Sequence, residues 1–190
     1  MYAAIPDPYC YPGTTVLKNV PGLHDPEALE AYELALSRER ANQPLPRGRL
    51  SVSHYQAIHH HLFQDVYPWA GRFRTVRISK GGSMFCYPEH IASEMRLLFT
   101  ELRERAFLRD LPTSVFAAKT AHFLAELNAI HPFREGNGRT QLAFLSLLAV
   151  QAGHPLRIDH LDPQAFLGAV VASFGGNEAA LVDVIAALIA

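Results

Sequence analysis

Nine residues, His131-Pro132-Phe133-Arg134-Glu135-Gly136-Asn137-Gly138-Arg139, lead almost directly into the apolar stretch Leu142-Ala143-Phe144-Leu145-Ser146-Leu147-Leu148-Ala149-Val150. The apolar stretch reads as a buried helix, so the fold has to be built around it and the loop that opens it. That loop holds a proton acceptor, a carboxylate, a glycine-rich turn and a fixed cation. Glycines let the backbone approach a ligand with its N–H groups turned inward, and a helix N-terminus favours negative charge. The combination suits a phosphate-bearing substrate.

The chain has 190 residues, enough for one domain with a proper core. A hydrophobic fraction of 49% and a charged fraction of 18% belong to a globular protein. A net charge of -1 argues against a generic nucleic-acid binder. Two cysteines, Cys10 and Cys86, are too few for a disulfide framework and fit a reducing compartment. The start, Met1-Tyr2-Ala3-Ala4-Ile5-Pro6, has neither the basic nor the apolar part of a signal peptide. The apolar segment near Leu181–Ala190 is too short to span a bilayer and carries Asp183. The expectation is a single domain in the bacterial cytoplasm, with no membrane and no nucleic-acid partner, or one delivered into a host cytosol as part of a secreted effector.

Pro, Gly and Tyr make residues 1–24 an irregular arm. Asp25 reads as an N-cap before Pro26, starting a helix to about Asn42. Ser53 reads as the cap of a second helix ending near Phe63. Phe73-Arg74-Thr75-Val76-Arg77-Ile78 alternates like a half-exposed strand, and Gly81-Gly82-Ser83 followed by Met84-Phe85-Cys86-Tyr87 completes a hairpin over 72–88. Helices follow from Pro88 to about Arg105, Pro112 to Ile130, the motif to Ala152, Pro163 to Phe174 and Asn177 to Ile189. Gly153 and Pro155 stop the motif helix. His59-His60-His61 spread around a helix and cannot converge on one metal ion.

Within the motif, His131 leaves a helix end beside a glycine-rich turn, and its side chain titrates near neutrality. It is therefore a candidate base; the alternative is a surface histidine ending a helix. Glu135 can hold Mg²⁺, which binds through one or two carboxylates, or it can simply favour a helix start. Gly136, Asn137 and Gly138 can form an anion hole or a plain turn. Arg139 is a cation where the helix dipole disfavours one, so its position calls for an anionic partner. Phe133 reads as a core anchor.

The nine residues resemble the signature of the Fic domain, H-P-F-x-[D/E]-G-N-G-R-x-x-R. Three further blocks strengthen the resemblance: Tyr11-Pro12-Gly13-Thr14-Thr15-Val16-Leu17-Lys18-Asn19, Tyr67-Pro68-Trp69-Ala70-Gly71-Arg72-Phe73-Arg74, and Ile78 through Cys86. The likeness runs from about residue 9 to at least residue 150. It implies a mostly α-helical bundle around the motif helix with one inserted β-hairpin flap. It also implies transfer of AMP from ATP to a Ser, Thr or Tyr hydroxyl of a target protein. On that resemblance His131 is the base and Glu135 positions Mg²⁺, while Gly136, Asn137, Gly138 and Arg139 hold phosphates. The flap, Ile78, Ser79, Lys80, Gly81, Gly82, Ser83, Met84 and Phe85, docks the target as an extended segment.

At the family's second arginine this chain has Leu142. Losing one charge-assisted contact costs roughly 1.5–3 kcal/mol, about ten- to more than hundredfold in affinity or rate. The alternatives are a weaker or redirected enzyme, transfer of a different phosphate-containing group, and a degenerate module that binds without catalysis. A kinase of the same superfamily calls for lysine where this chain has Gly138. The family's inhibitory motif, [S/T]-x-x-x-E-[G/N], has no full match: Thr100 and Glu104 come nearest, but Arg105 follows. The resemblance therefore points to a toxin held by a separate small antitoxin, although Leu142 removes the residue with which the antitoxin's glutamate would pair.

Overall fold

Asp25 accepts a hydrogen bond from the Ala28 N–H at 2.8 Å and Pro26 takes the first helical position, so α1 runs Pro26–Ala41. Replacing Asp25 with alanine should cost about 1 kcal/mol. Thermal unfolding would register it as a drop of about 2–4 °C. The computed structural model describes residues 7–80 and 82–190; residues 1–6 of the expected arm and Gly81 of the expected flap lie outside them.

The remaining helices are α2 (Val52–Phe63), α3 (Pro88–Glu104), α4 (Thr113–Ile130), α5 (Asn137–Ala152), α6 (Pro163–Phe174) and α7 (Ala179–Leu188). Two short strands, β1 (Ser79–Lys80) and β2 (Ser83–Met84), pair antiparallel, with Ser79 opposite Met84. The fold is mostly α. Among the described residues no helix is long and apolar enough to cross a membrane.

The motif helix α5 packs against α2 and α4; α1 covers α2, α3 lies on α4, and α6 and α7 pair with each other and with α4. Phe144 of α5 is the hub, fully buried among the rings of Tyr55, Phe99 and Phe123 at centroid distances of 5.5, 5.3 and 5.9 Å. Burying such a side chain contributes roughly 1.5–3 kcal/mol, so α5 is anchored well away from the loop that begins it. Its burial is one-sided: Thr140, Phe144, Leu148 and Ala152 face inward, whereas Val150 is exposed.

The structure corrects the sequence in two places. Ser51, not Ser53, caps α2, because the Ser51 hydroxyl receives the His54 N–H while Ser53 already lies inside the helix. Residues 73–78 form no strand. Their alternation marks an extended segment, but the backbone N–H of Arg74 is spent on Pro132 and the Arg74 side chain is buried, not exposed. The arm folds back on itself through an isolated bridge between Cys10 and Leu17 and is tied to the domain by an Asp7–Arg134 ion pair at 2.9 Å. Trp69 packs edge-on against Tyr9 of the arm and stacks on Tyr67.

Candidate active site

Pro132 stops α4, and the last residue before it, His131, takes a left-handed conformation with φ 48° and ψ 62°. A non-glycine residue held there is uncommon and must be fixed by its surroundings. The His131 backbone N–H donates to Leu127, and its ring stacks on Phe85 of the hairpin at 3.9 Å. Ring Nδ1 lies 3.3 Å from the Asn128 carbonyl. A carbonyl can only accept, so Nδ1 carries the proton and Nε2 is left as the acceptor. Burial pushes the His131 pKa down to about 4, helped by the nearby cations Arg74 and Lys80 and opposed by the Asn128 hydrogen bond. At neutral pH the imidazole is an uncharged base.

The loop after His131 is closed by its own side chains. Phe133 is fully buried, stacked on Tyr55 and 3.7 Å from the His59 ring. The Asn137 carboxamide accepts from the Phe133 N–H at 2.9 Å and donates to the Phe133 carbonyl at 2.8 Å. Its side chain is therefore committed to the loop, and only its backbone remains for a ligand. Gly136 has φ 80°, and a Cβ there would sit 2.4 Å from the Phe63 ring. The Gly136 N–H donates to Glu135 Oε1 at 2.9 Å. No side chain among the described residues caps α5, which leaves its first-turn N–H groups to an anion.

His59 braces this loop from behind. The Gly71 N–H donates to its Nδ1 at 2.8 Å, which sets the tautomer, so Nε2 donates to the Glu135 carbonyl at 2.9 Å. Burial pushes its pKa down to about 3. The three consecutive histidines do diverge: His60 is exposed and His61 bonds the Arg40 carbonyl.

Arg139 finds an anionic partner inside the protein. Its guanidinium pairs with Glu33 of α1, donates to the Ser37 hydroxyl at 2.8 Å and lies over the Phe63 ring at 4.7 Å. Glu33 also receives the Tyr67 hydroxyl, and burial with the adjacent Glu33 carboxylate raises the Tyr67 pKa. Arg139 is thus aimed by α1, with Glu135 4.0 Å away.

A cavity of about 610 Å³ opens over these groups. His131, Glu135, Gly136, Gly138 and Arg139 line one side, with Lys80 and Phe85 of the hairpin; Ile78, Ser79, Gly82 and Met84 do not reach it. Phe166, Leu167, Val170, Val171 and Phe174 of α6 add an apolar wall at helical spacing, with Phe174 edge-on to Phe85 at 5.6 Å. Leu142 belongs to that lining, as does Gln141, whose buried Nε2 has no hydrogen-bond partner among the described residues.

Sequence reasoning missed Glu33 and Arg74, and it treated His59 only as one of three histidines unable to share a metal ion; each is distant in sequence from the loop it serves. A buried charge or imidazole leaves no local periodic signal; only Arg74 lay inside a block of family resemblance, and there it read as an exposed strand residue.

The model of the family described as Fic/DOC family matches residues 49–149. The probable protein adenylyltransferase y4lH of Sinorhizobium fredii is 49% identical over 181 residues, covering 95% of this chain and 94% of that protein. The protein adenylyltransferase VbhT of Bartonella schoenbuchensis is 36% identical over 191 residues; the match takes in 99% of this chain but 39% of VbhT. The crystal structure of the effector BepC from Bartonella tribocorum, with bound AMPPNP, superposes with a TM-score of 0.86 at 25% identity and covers 96% of both chains.

Proposed function

Because the chain belongs to the Fic/DOC family, we propose that it is a protein adenylyltransferase that moves AMP from ATP to a hydroxyl of a target protein. It is a nucleotidyltransferase, and ATP is its substrate. The observation that carries the reading at the level of residues is the pairing of the neutral, Nε2-accepting His131 with the uncapped start of α5 on one cavity.

In this reading the polyphosphate lies against the first-turn N–H groups of α5 and the Arg139 guanidinium. The apolar face of α6 suits the nucleobase, and the unpaired Gln141 amide suits a hydrogen-bonding group on its edge. Glu135 fits Mg²⁺: its carboxylate is half exposed beside the cavity, and one oxygen is spared by the Gly136 N–H. Bound there with the nucleotide, Mg²⁺ would neutralise phosphate charge. His131 Nε2 takes the proton of the target hydroxyl as its oxygen bonds to the α-phosphorus. The bond to the β-phosphate oxygen breaks, and pyrophosphate leaves. The Phe85 ring against His131 links the hairpin, where a target segment would add alongside β1 or β2, to the reacting base.

The test is transfer itself. Incubation of a bacterial lysate with the protein and ATP labelled at the α-phosphate should yield labelled protein, with a mass increase corresponding to AMP. Labelling only from the γ-phosphate would identify a kinase, and nucleotide binding with no transfer would favour a degenerate module. We also infer regulation by a separate antitoxin; co-purification of a small protein from the native host would support this, and an isolated monomer there would count against it.

Leu142 decides the strength of the activity more than its type. It lies one turn beyond Arg139 and adds an apolar side chain to the lining of the same cavity. Leu142→Arg supplies a cation in that lining and should tighten ATP binding or raise transfer about tenfold or more. Titration with ATP and AMP separates phosphate recognition from recognition of the rest of the nucleotide: only ATP affinity should gain.

A further inference from the structure

Arg74 is among the largest fully buried side chains, at 1% exposure. It makes no ion pair among the described residues. A buried cation without a carboxylate has to be stabilised by dipoles, and four backbone carbonyls provide them. Nε donates to His131 at 2.8 Å, Nη1 to Val76 at 2.6 Å, and Nη2 to Cys86 at 2.6 Å and Ile130 at 3.2 Å.

The identity of these carbonyls carries the inference. Val76 and Cys86 are the two feet of the hairpin, just before β1 and just after β2. Ile130 and His131 are the last helical residue and the cap of α4, where helix carbonyls lack partners and carry partial negative charge. One guanidinium therefore caps the helix that ends in His131 and clamps both hairpin strands to it. Two backbone bonds run beside it: Arg74 N–H to the Pro132 carbonyl at 2.9 Å and Cys86 N–H to the Ala129 carbonyl at 3.0 Å.

We propose that Arg74 is a positioning residue that makes the hairpin and His131 one mechanical unit, so that seating a target segment on the hairpin and aiming the imidazole are a single event. The proposal rests on the reading of His131 as the base and of the hairpin as the docking edge. It assigns Arg74 no contact with nucleotide or target. The nucleotide loop is held separately, by His59 on the Glu135 carbonyl and by Asn137 on the Phe133 backbone. Loss of Arg74 should therefore leave nucleotide binding in place.

Arg74→Met removes charge and donors, whereas Arg74→Lys keeps the charge but concentrates its donors at one atom that cannot span four carbonyls. In Arg74→Met the amides of Cys86 and His131 should exchange with solvent about tenfold faster or more, while those of Thr140 and Leu148 keep their protection. Labelling of a bacterial lysate with ATP should fall about tenfold or more, with AMPPNP affinity held within about twofold. Arg74→Lys should be intermediate in both exchange and labelling. Unchanged exchange at Cys86 and His131 would overturn the proposal. So would AMPPNP affinity falling in step with labelling, or global unfolding of both variants, which would make Arg74 simply a core residue. If the unsubstituted protein gives no His131-dependent label, the enzymatic reading fails, and amide exchange alone decides whether the clamp exists.

Discussion

His131→Ala should lower AMP transfer by about 10²–10⁴-fold, the range expected when a positioned general base is removed, while ATP affinity stays close to that of the unsubstituted protein. The separation follows from the geometry. His131 is fixed by the end of α4 and by Phe85, whereas the groups proposed to face the phosphates belong to the first turn of α5. Single-turnover labelling with α-labelled ATP measures the first quantity and AMPPNP titration the second. Equal loss of both would mean that His131 holds the nucleotide and is not the base.

The pH profile gives an independent check. A base acts in its neutral form, so the rate rises with pH through its pKa and then levels. With His131 held down to about 4 by burial, kcat/KM should be flat from about pH 5.5 to 8 and fall only in acid. Bound polyphosphate adds negative charge beside the imidazole and raises its pKa, so the acid limb of kcat should lie at higher pH. Folding stability shares the sign. The folded pKa values of His131 and His59, about 4 and about 3, lie below the ordinary 6.5, so the unfolded chain takes up protons first as pH falls. The stability tied to their neutral forms is present above pH 6.5 and is lost as pH drops through the folded values.

Gly136→Ala should destabilise the protein by about 2–5 kcal/mol, combining left-handed backbone strain with overpacking against a buried ring. Its Cβ would lie 2.4 Å from two atoms of the Phe63 ring, and Phe63 is fully buried beneath Arg139 with nowhere to retreat. Urea denaturation measures the loss. Gly138→Ala is the contrasting variant, because a Cβ there meets nothing within 4 Å. Alanine inside a helix is favoured over glycine by up to about 1 kcal/mol, so Gly138→Ala should keep or gain stability. A fall in ATP affinity in that stable protein would then report crowding by the new methyl group where phosphate approaches the backbone. Stability lost at position 138 and retained at 136 would contradict the geometry of the loop.

Much of this site could be read along the chain because its parts are local. Phe133, Asn137 and Gly136 close a loop within five residues, and such short-range constraints are written as residue types at fixed spacing. The caps and breakers worked for the same reason: Asp25 with Pro26 begins α1, and Gly153, at φ 85°, ends α5. Alternation at residues 73–78 misled twice: it does not tell whether a neighbouring strand exists to pair with, and it read Arg74 as facing solvent although that side chain is buried against backbone carbonyls.

The sequence by itself determined the helical succession, the motif loop with its candidate base and candidate anion-binding turn, and the departure at Leu142, since each rests on neighbours within a few residues. Only the tertiary structure decided how that loop is held and aimed. Glu33 reaches Arg139 from α1, His59 reaches the Glu135 carbonyl from α2, and Arg74 reaches the end of α4 from the foot of the hairpin. Those contacts depend on helix packing that brings distant segments together, and buried polar groups take their partners from whatever the fold sets beside them. Leu142 changes meaning by the same route: along the chain it is a missing charge, and in the fold it is part of the apolar lining of the cavity.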